Sequence, residues 1–199
     1  MIHPDTQVQY IDMRDGEPRY KSINEFYQEY CHKAILKMDT NNVQESIIDF
    51  SLNPHVKITD LFGWTDVLEI KRFTIRYPLT INWINILVKD KKLITCNREL
   101  LPVYDINDNK IGFHGEVKYK YTLTSPVKLS SGYLRTNNCE DENGNQVEFI
   151  IPEIVDLGNY NIDYSINGYE IITRSGFYNG NNIHLFGSDY IREPSNCYK

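Results

Sequence analysis

The chain has 199 residues, enough for one domain with a sizeable core. Hydrophobic residues make up 41% and charged residues 24%, the composition of a soluble globular protein, and no apolar run approaches the length that crosses a bilayer. A net charge of −6 excludes an overall electrostatic drive toward nucleic acid or an anionic membrane, and Lys89, Lys91 and Lys92 read as a solvated hairpin tip.

In chain order, residues 7–21 read as a hairpin. Val8, Tyr10 and Ile11 lead into Arg14-Asp15-Gly16-Glu17, where Asp-Gly is a strong turn signal. One helix follows, over about residues 22–38. Ser22 with Glu25 forms a capping box, and Ile23, Phe26, Tyr27, Tyr30 and Ala34 recur at helical spacing. Asp39-Thr40-Asn41-Asn42 ends it.

From residue 43 the pattern changes to short runs rich in Ile, Val, Phe and Tyr. They cover 46–52, 56–59, 67–77, 81–89, 92–96, 101–104, 110–124, 127–129, 147–151, 160–166 and 169–173. Turn residues separate them at Asn53-Pro54, Gly63, Pro78, Asp90 and Asn107-Asp108-Asn109. Many short strands after a single helix predict a mainly β, antiparallel, curved domain. Residues 136–146 read as a polar loop and 188–199 as a C-terminal tail. The N-terminal residues lack the basic-then-apolar pattern of a secretory signal. The dispersed Cys31, Cys96, Cys139 and Cys197 therefore read as reduced thiols in a cytosol-like compartment.

Four stretches, in order, carry a family resemblance. They are the opening Ile2-His3-Pro4-Asp5-Thr6, the stretch Ser22-Ile23-Asn24-Glu25-Phe26-Tyr27, the run from Gly63-Trp64 to Val103-Tyr104 around Thr95-Cys96-Asn97-Arg98, and the run from Tyr169 to Gly187. This arrangement resembles the Hint family, the inteins and hedgehog-type autoprocessing domains, over residues 1–187. The resemblance implies a compact, horseshoe-like β-fold with the two ends of the domain meeting near its centre.

It also implies a reaction whose residues are absent. Splicing opens with a thiol or hydroxyl at the first position attacking the preceding carbonyl. Met1 stands there, its thioether cannot make that attack, and a chain starting at Met1 has no upstream bond to break. The family's Thr-x-x-His supplies a proton-shuttling imidazole. Here Thr95 is kept, but Arg98 holds the histidine position, and guanidinium stays protonated. The closing His-Asn aligns with Phe186-Gly187, and glycine has no carboxamide to cyclise. Ser188 takes the place of the downstream nucleophile. In a shifted register His184 becomes the family histidine, and Leu185 follows it instead of asparagine.

These positions (Met1, Thr95, Arg98, Phe186, Gly187 and Ser188) therefore read as vestigial, with no catalytic residue and no cofactor. The implied function is a non-splicing structural or protein-interaction module acting on a protein partner or within an assembly. The Asn/Ile/Lys/Tyr-rich composition suggests an AT-rich genome; together with the resemblance to a lone intein-like domain that carries no obvious endonuclease insertion, it implies a phage or viral source, with the protein in a particle or the cytoplasm. The alternative is an autoprocessing domain with a variant mechanism, or an active parent with these residues replaced. A third reading, a metal-binding domain, has no recognised zinc spacing among its His and Cys residues. Asp105, Asn107, Asn109 and Glu116 sit at calcium-loop spacing, but Lys110 occupies the position that needs glycine, so a polar hairpin turn is the reading taken.

Overall fold

Alternation of apolar and polar residues shapes the first hairpin. Gln7–Asp12 (β1) buries Val8, Tyr10 and Asp12 on one face and pairs with Pro18–Ser22 (β2), with Gly16 at φ 73° in the turn. The architecture is that of a computed structural model, which describes residues 1–76, 81–88, 91–129, 131–160, 166–190 and 197–199. Lys89, the turn positions Pro78 and Asp90, most of the strand expected at 160–166 and part of the expected tail lie outside the described residues.

The capping box forms as read. Ser22 Oγ accepts from the Glu25 N–H, and the Glu25 carboxylate accepts from the Ser22 N–H. The helix is shorter than its spacing suggests, however. It runs Ile23–Glu29 (α1), followed by a 3₁₀ turn at Cys31–Lys33. Residues 35–38, expected to be helical, belong to Ile35–Asp39 (β3), which pairs with Val43–Asp49 (β4). Pairing with β4 outweighs a helical periodicity whose last core contact is Ala34, beyond which Ile35, Leu36 and Met38 are exposed.

The remaining strands are Val56–Asp60 (β5), Gly63–Ile75 (β6), Ile81–Val88 (β7), Lys91–Cys96 (β8), Leu101–Ile111 (β9), Val117–Thr124 (β10), Leu134–Glu140 (β11), Gln146–Ile150 (β12), Glu153–Tyr160 (β13), Ile166–Thr173 (β14), Phe177–Gly180 (β15) and Ile183–Phe186 (β16). The expected turn at Asn107-Asp108-Asn109 lies inside β9, and the chain reverses at residues 112–116 instead, so 110–124 is not one strand. The polar loop expected at 136–146 is a hairpin whose turn occupies only 141–145, because Thr136 to Glu140 extend β11. The Asp141 carboxylate closes that turn by accepting from the N–H groups of Asn143 and Asn145.

All the ladders between these strands are antiparallel. β2-β1-β5-β6-β4-β3 form the largest sheet, with β14 also on β6; β10-β9, β12-β11-β16-β15 and β13-β7-β8 form the others. β6 joins the parts, since its start pairs with β5 while its later residues lie between β4 and β14. The main core contains Tyr10, Phe26, Ile48, Ile58, Ile70 and Tyr169, all fully buried, with Phe26 stacked on Tyr10. Among the described residues no helix is long and apolar enough to cross a membrane.

Candidate functional site

The first residues enter the fold as a wedge. On one side the Ile2 N–H donates to the Tyr169 carbonyl at 2.8 Å, and the Tyr169 N–H donates back at 3.1 Å. On the other the His3 N–H donates to the Ile94 carbonyl, and the Cys96 N–H to that of Met1, each at 3.0 Å. Ile2 thus bridges β8 and β14, and its side chain is fully buried. The Asn181-Asn182 turn between β15 and β16 supports this entry. Both residues have positive φ, as a type I′ two-residue hairpin turn requires. The Asn181 side chain accepts from the Gln7 N–H at 2.7 Å and donates to the Lys92 carbonyl at 2.7 Å.

Met1 then opens onto a cleft of about 350 Å³. Its walls include Cys96, Arg98, Glu99, Glu170, Tyr178, Phe186, Gly187 and Ser188. Five of the six positions singled out by sequence, Met1, Arg98, Phe186, Gly187 and Ser188, therefore converge here from opposite ends of the chain. The sixth, Thr95, lies just behind it, fully buried, with its hydroxyl donating to the Cys96 carbonyl at 3.1 Å and its backbone bridged to Ile2.

The group facing the Met1 nitrogen is Glu99. Its carboxylate pairs with the Met1 amine; Glu170 lies 3.5 Å and the Cys96 sulfur 3.6 Å from the same nitrogen. Burial alone would lower this amine, but the charges of Glu99, Cys96 and Glu170 outweigh it and push it up to about 11. Burial in turn raises the Glu99 carboxyl above the usual range, opposed by the amine beside it. Arg98 is solvent-exposed at the rim. Burial, with the charges of Glu99 and Glu170 added, raises the Tyr178 hydroxyl well above its ordinary value. Cys96, Glu99, Glu170 and Tyr178 lie within the stretches that carry the resemblance but are given no role there; Ile2, bridged to both β8 and β14, gathers the first three around Met1, and β15 adds Tyr178.

Met1 and Gly187 have packing roles. The Met1 side chain lies so close to Gly168 that a Cβ there would sit 2.8 Å from its sulfur. At Gly187 a Cβ would collide with the Ile171 carbonyl oxygen and stand 2.8 Å from the Tyr178 ring. Backbone bonds lock this closing strand: the Gly187 N–H donates to the Gly176 carbonyl at 2.8 Å, and the Thr173 N–H to that of Gly187 at 2.9 Å. The Ser188 hydroxyl accepts from the Tyr190 N–H at 3.0 Å.

His184, the alternative family histidine, does not line this cleft. It is wholly buried on the opposite face of β16, stacked on Phe177 at 4.7 Å, with Nδ1 3.6 Å from Asp60. Among the described residues neither of its ring nitrogens has a hydrogen-bond partner, nor does the side chain of Asn179 directly across the hairpin. Burial, then the charges of Lys199 and Arg135, holds the imidazole well below its ordinary value, so it is neutral.

No protein-family model and no curated protein matches the sequence. Among solved structures, the chain is similar to the transcription factor IIB Mvu mini-intein, at 14% identity and a TM-score of 0.61, over 94% of this chain and 98% of that one. It is also similar to an intein from a hyperthermophile (11%, TM-score 0.56, 93% and 98% covered) and to the TvoVMA intein (12%, TM-score 0.55, 92% and 95% covered). At these identities the likeness shows the fold: a Hint-type, intein-like β-fold spanning nearly the whole chain.

Proposed function

We propose that this is an intein-fold domain that no longer splices and serves as a structural or protein-interaction module. The observation that carries the reading is the steric closure at Gly187. Asparagine cyclisation needs a side chain at the closing end of the cleft, and there the Ile171 carbonyl and the Tyr178 ring already fill the Cβ position. The other two requirements fail in the same direction. Met1 contributes a thioether that packs on Gly168, and Arg98 is an exposed guanidinium that cannot exchange a proton at neutral pH. A protein partner or assembly, a phage or viral source, and a place in a particle or the cytoplasm accompany this reading, on composition together with the family resemblance.

The test is to embed residues 1–187 between two reporter proteins and follow intact mass. Only the unprocessed fusion is expected; a ligated reporter pair would overturn the reading. Convergence of the vestigial positions on one cleft favours a second reading, an active parent with its residues replaced. The fusion carrying Met1→Cys, Arg98→His, Phe186→His and Gly187→Asn separates the two. Processing by that variant would support the second, and its failure, with the fold intact by circular dichroism, supports the first.

A further inference from the structure

The last described residues form a strand of their own. The Tyr119 N–H donates to the Lys199 carbonyl at 2.9 Å, the Lys199 N–H donates back at 3.0 Å, and the Tyr121 N–H donates to the Cys197 carbonyl at 2.9 Å. Residues 197–199 thus add antiparallel to the edge of β10 that β9 leaves open, through a Lys120–Tyr198 bridge.

Side chains alternate along this strand, and each finds a separate receptor. Cys197 is buried in the cluster of Tyr104, Tyr121 and Phe177. Tyr198 points the other way, its hydroxyl donating to Asp108 at 2.9 Å under the Lys110 ammonium, which lies 4.1 Å from its ring. Lys199 turns inward again. Its ammonium lies 4.6 Å from the Phe177 ring centre and 3.7 Å from the Asp60 carboxylate. Arg135 clamps the backbone here, donating to the Lys199 carbonyl at 2.9 Å. It is itself almost fully buried, stacked on Phe149 and Tyr104 and paired with Glu148.

An open strand edge, a small apolar pocket, a cation pocket two residues on and an arginine for the carbonyl are the parts of a peptide-binding groove that works by strand addition. We infer that this β10 groove is a recognition site for an extended segment of a protein partner carrying a small apolar residue and, two positions later, a basic residue, with this chain's own residues 197–199 as its displaceable resident. The inference rests on reading the chain as an interaction module and names the surface and partner chemistry. The resident fixes the occupant's chemistry: the Asp60 carboxylate and the Phe177 ring face select a cation, and the β10 edge selects an extended backbone. As a tethered ligand it competes at high effective concentration, so partners gain access when its lysine contact is lost.

The test uses the full chain and a fluorescent peptide of residues 190–199 as probe, read by anisotropy. The Lys199→Glu chain is expected to bind the probe about tenfold or more tightly than the unaltered chain does, and a probe with the same substitution is expected not to bind. Hydrogen exchange at the Tyr119 and Tyr121 amides should be faster in the Lys199→Glu chain. Equal binding by both chains, binding indifferent to the probe's lysine, or no binding to either chain overturns the inference. Unchanged exchange at those amides also overturns it, since Lys199 would then not seat the strand. A ligated product in the reporter experiment would remove the non-splicing reading and leave this groove standing; a probe that fails to bind would remove the groove alone.

Discussion

The two described ends of the chain are both tied down by backbone hydrogen bonds, yet they are held in different ways. The N-terminal wedge runs between β8 and β14, bonded on both sides, with Ile2 fully buried and Met1 packed on Gly168. Residues 197–199 bond on one side only, at the edge of β10, with Tyr198 facing outward. A strand with two neighbours is part of the core, and its loss costs the whole domain. A strand with one neighbour is closer to a bound ligand. In the first region the buried charges face one another; in the second, beneath Lys199, His184 and Asn179 have no hydrogen-bond partner among the described residues. Where the domain's ends meet, the buried charges are paired in a packed joint, whereas the C-terminal edge lies over buried polar groups that have no partner among the described residues.

The comparison breaks most sharply at Ile2. Ile2→Asp places an unpaired carboxylate between β8 and β14 and should destabilise the domain by about 4 kcal/mol or more, or prevent folding, as urea titration would report. Next is Gly187. Both Gly187→Ala and Gly187→Asn should cost about 2 kcal/mol, because the collision is already with the Cβ; a denaturation midpoint unchanged in either would show that the cleft has room for a closing asparagine.

His184 sharpens the contrast through pH. Its folded pKa is depressed, so the unfolded chain takes up a proton near pH 6.5 while the native one does not. Stability attributable to this group is complete above that pH and falls below it by about 1.4 kcal/mol per pH unit until the native imidazole titrates. His184→Phe should flatten that part of the stability profile; a slope unchanged below pH 6.5 would show that the imidazole is already satisfied.

Lys199→Glu should cost about 1.4 kcal/mol in thermal unfolding, the free energy that corresponds to the tenfold gain in probe binding, because loosening the docked strand sets both. Arg98→His, at the exposed rim, should change stability by less than about 0.5 kcal/mol; a larger change would mean that this side chain supports the joint after all.

Much of the fold is legible in the letters where local chemistry decides. The Asp-Gly turn, the Ser22–Glu25 capping box and the β-rich alternation each specify structure within a few residues. The four ordered motifs foretell that Met1, Arg98, Phe186 and Gly187 share one cleft. What escapes is decided by pairing across the chain. Ile35 to Met38 keep a helix-compatible spacing but find partners on β4. Asn107-Asp108-Asn109 has turn chemistry yet lies within β9, where it is absorbed as an irregularity between the Asp105–Lys120 and Asn109–Tyr119 pairs. Glu99 sits one residue beyond the position the resemblance marks, and nothing local to Asn97-Arg98-Glu99 shows that it, and not Arg98, faces the Met1 nitrogen. The tail reading of 188–199 overlooks Cys197–Lys199, whose strand exists only because β10 leaves an edge open.

The placement of Ile2 between β8 and β14 bears on how the chain is made. Ile2, once made, cannot find its second neighbour until Tyr169 has emerged, roughly ten to thirty seconds later at ordinary elongation rates. Through that interval Ile2 is uncovered on one side, and the domain can complete itself only as a unit, after β14 has been made. Slow translation or a stalled message would therefore prolong a nascent form in which β8 and the opening segment wait for β14.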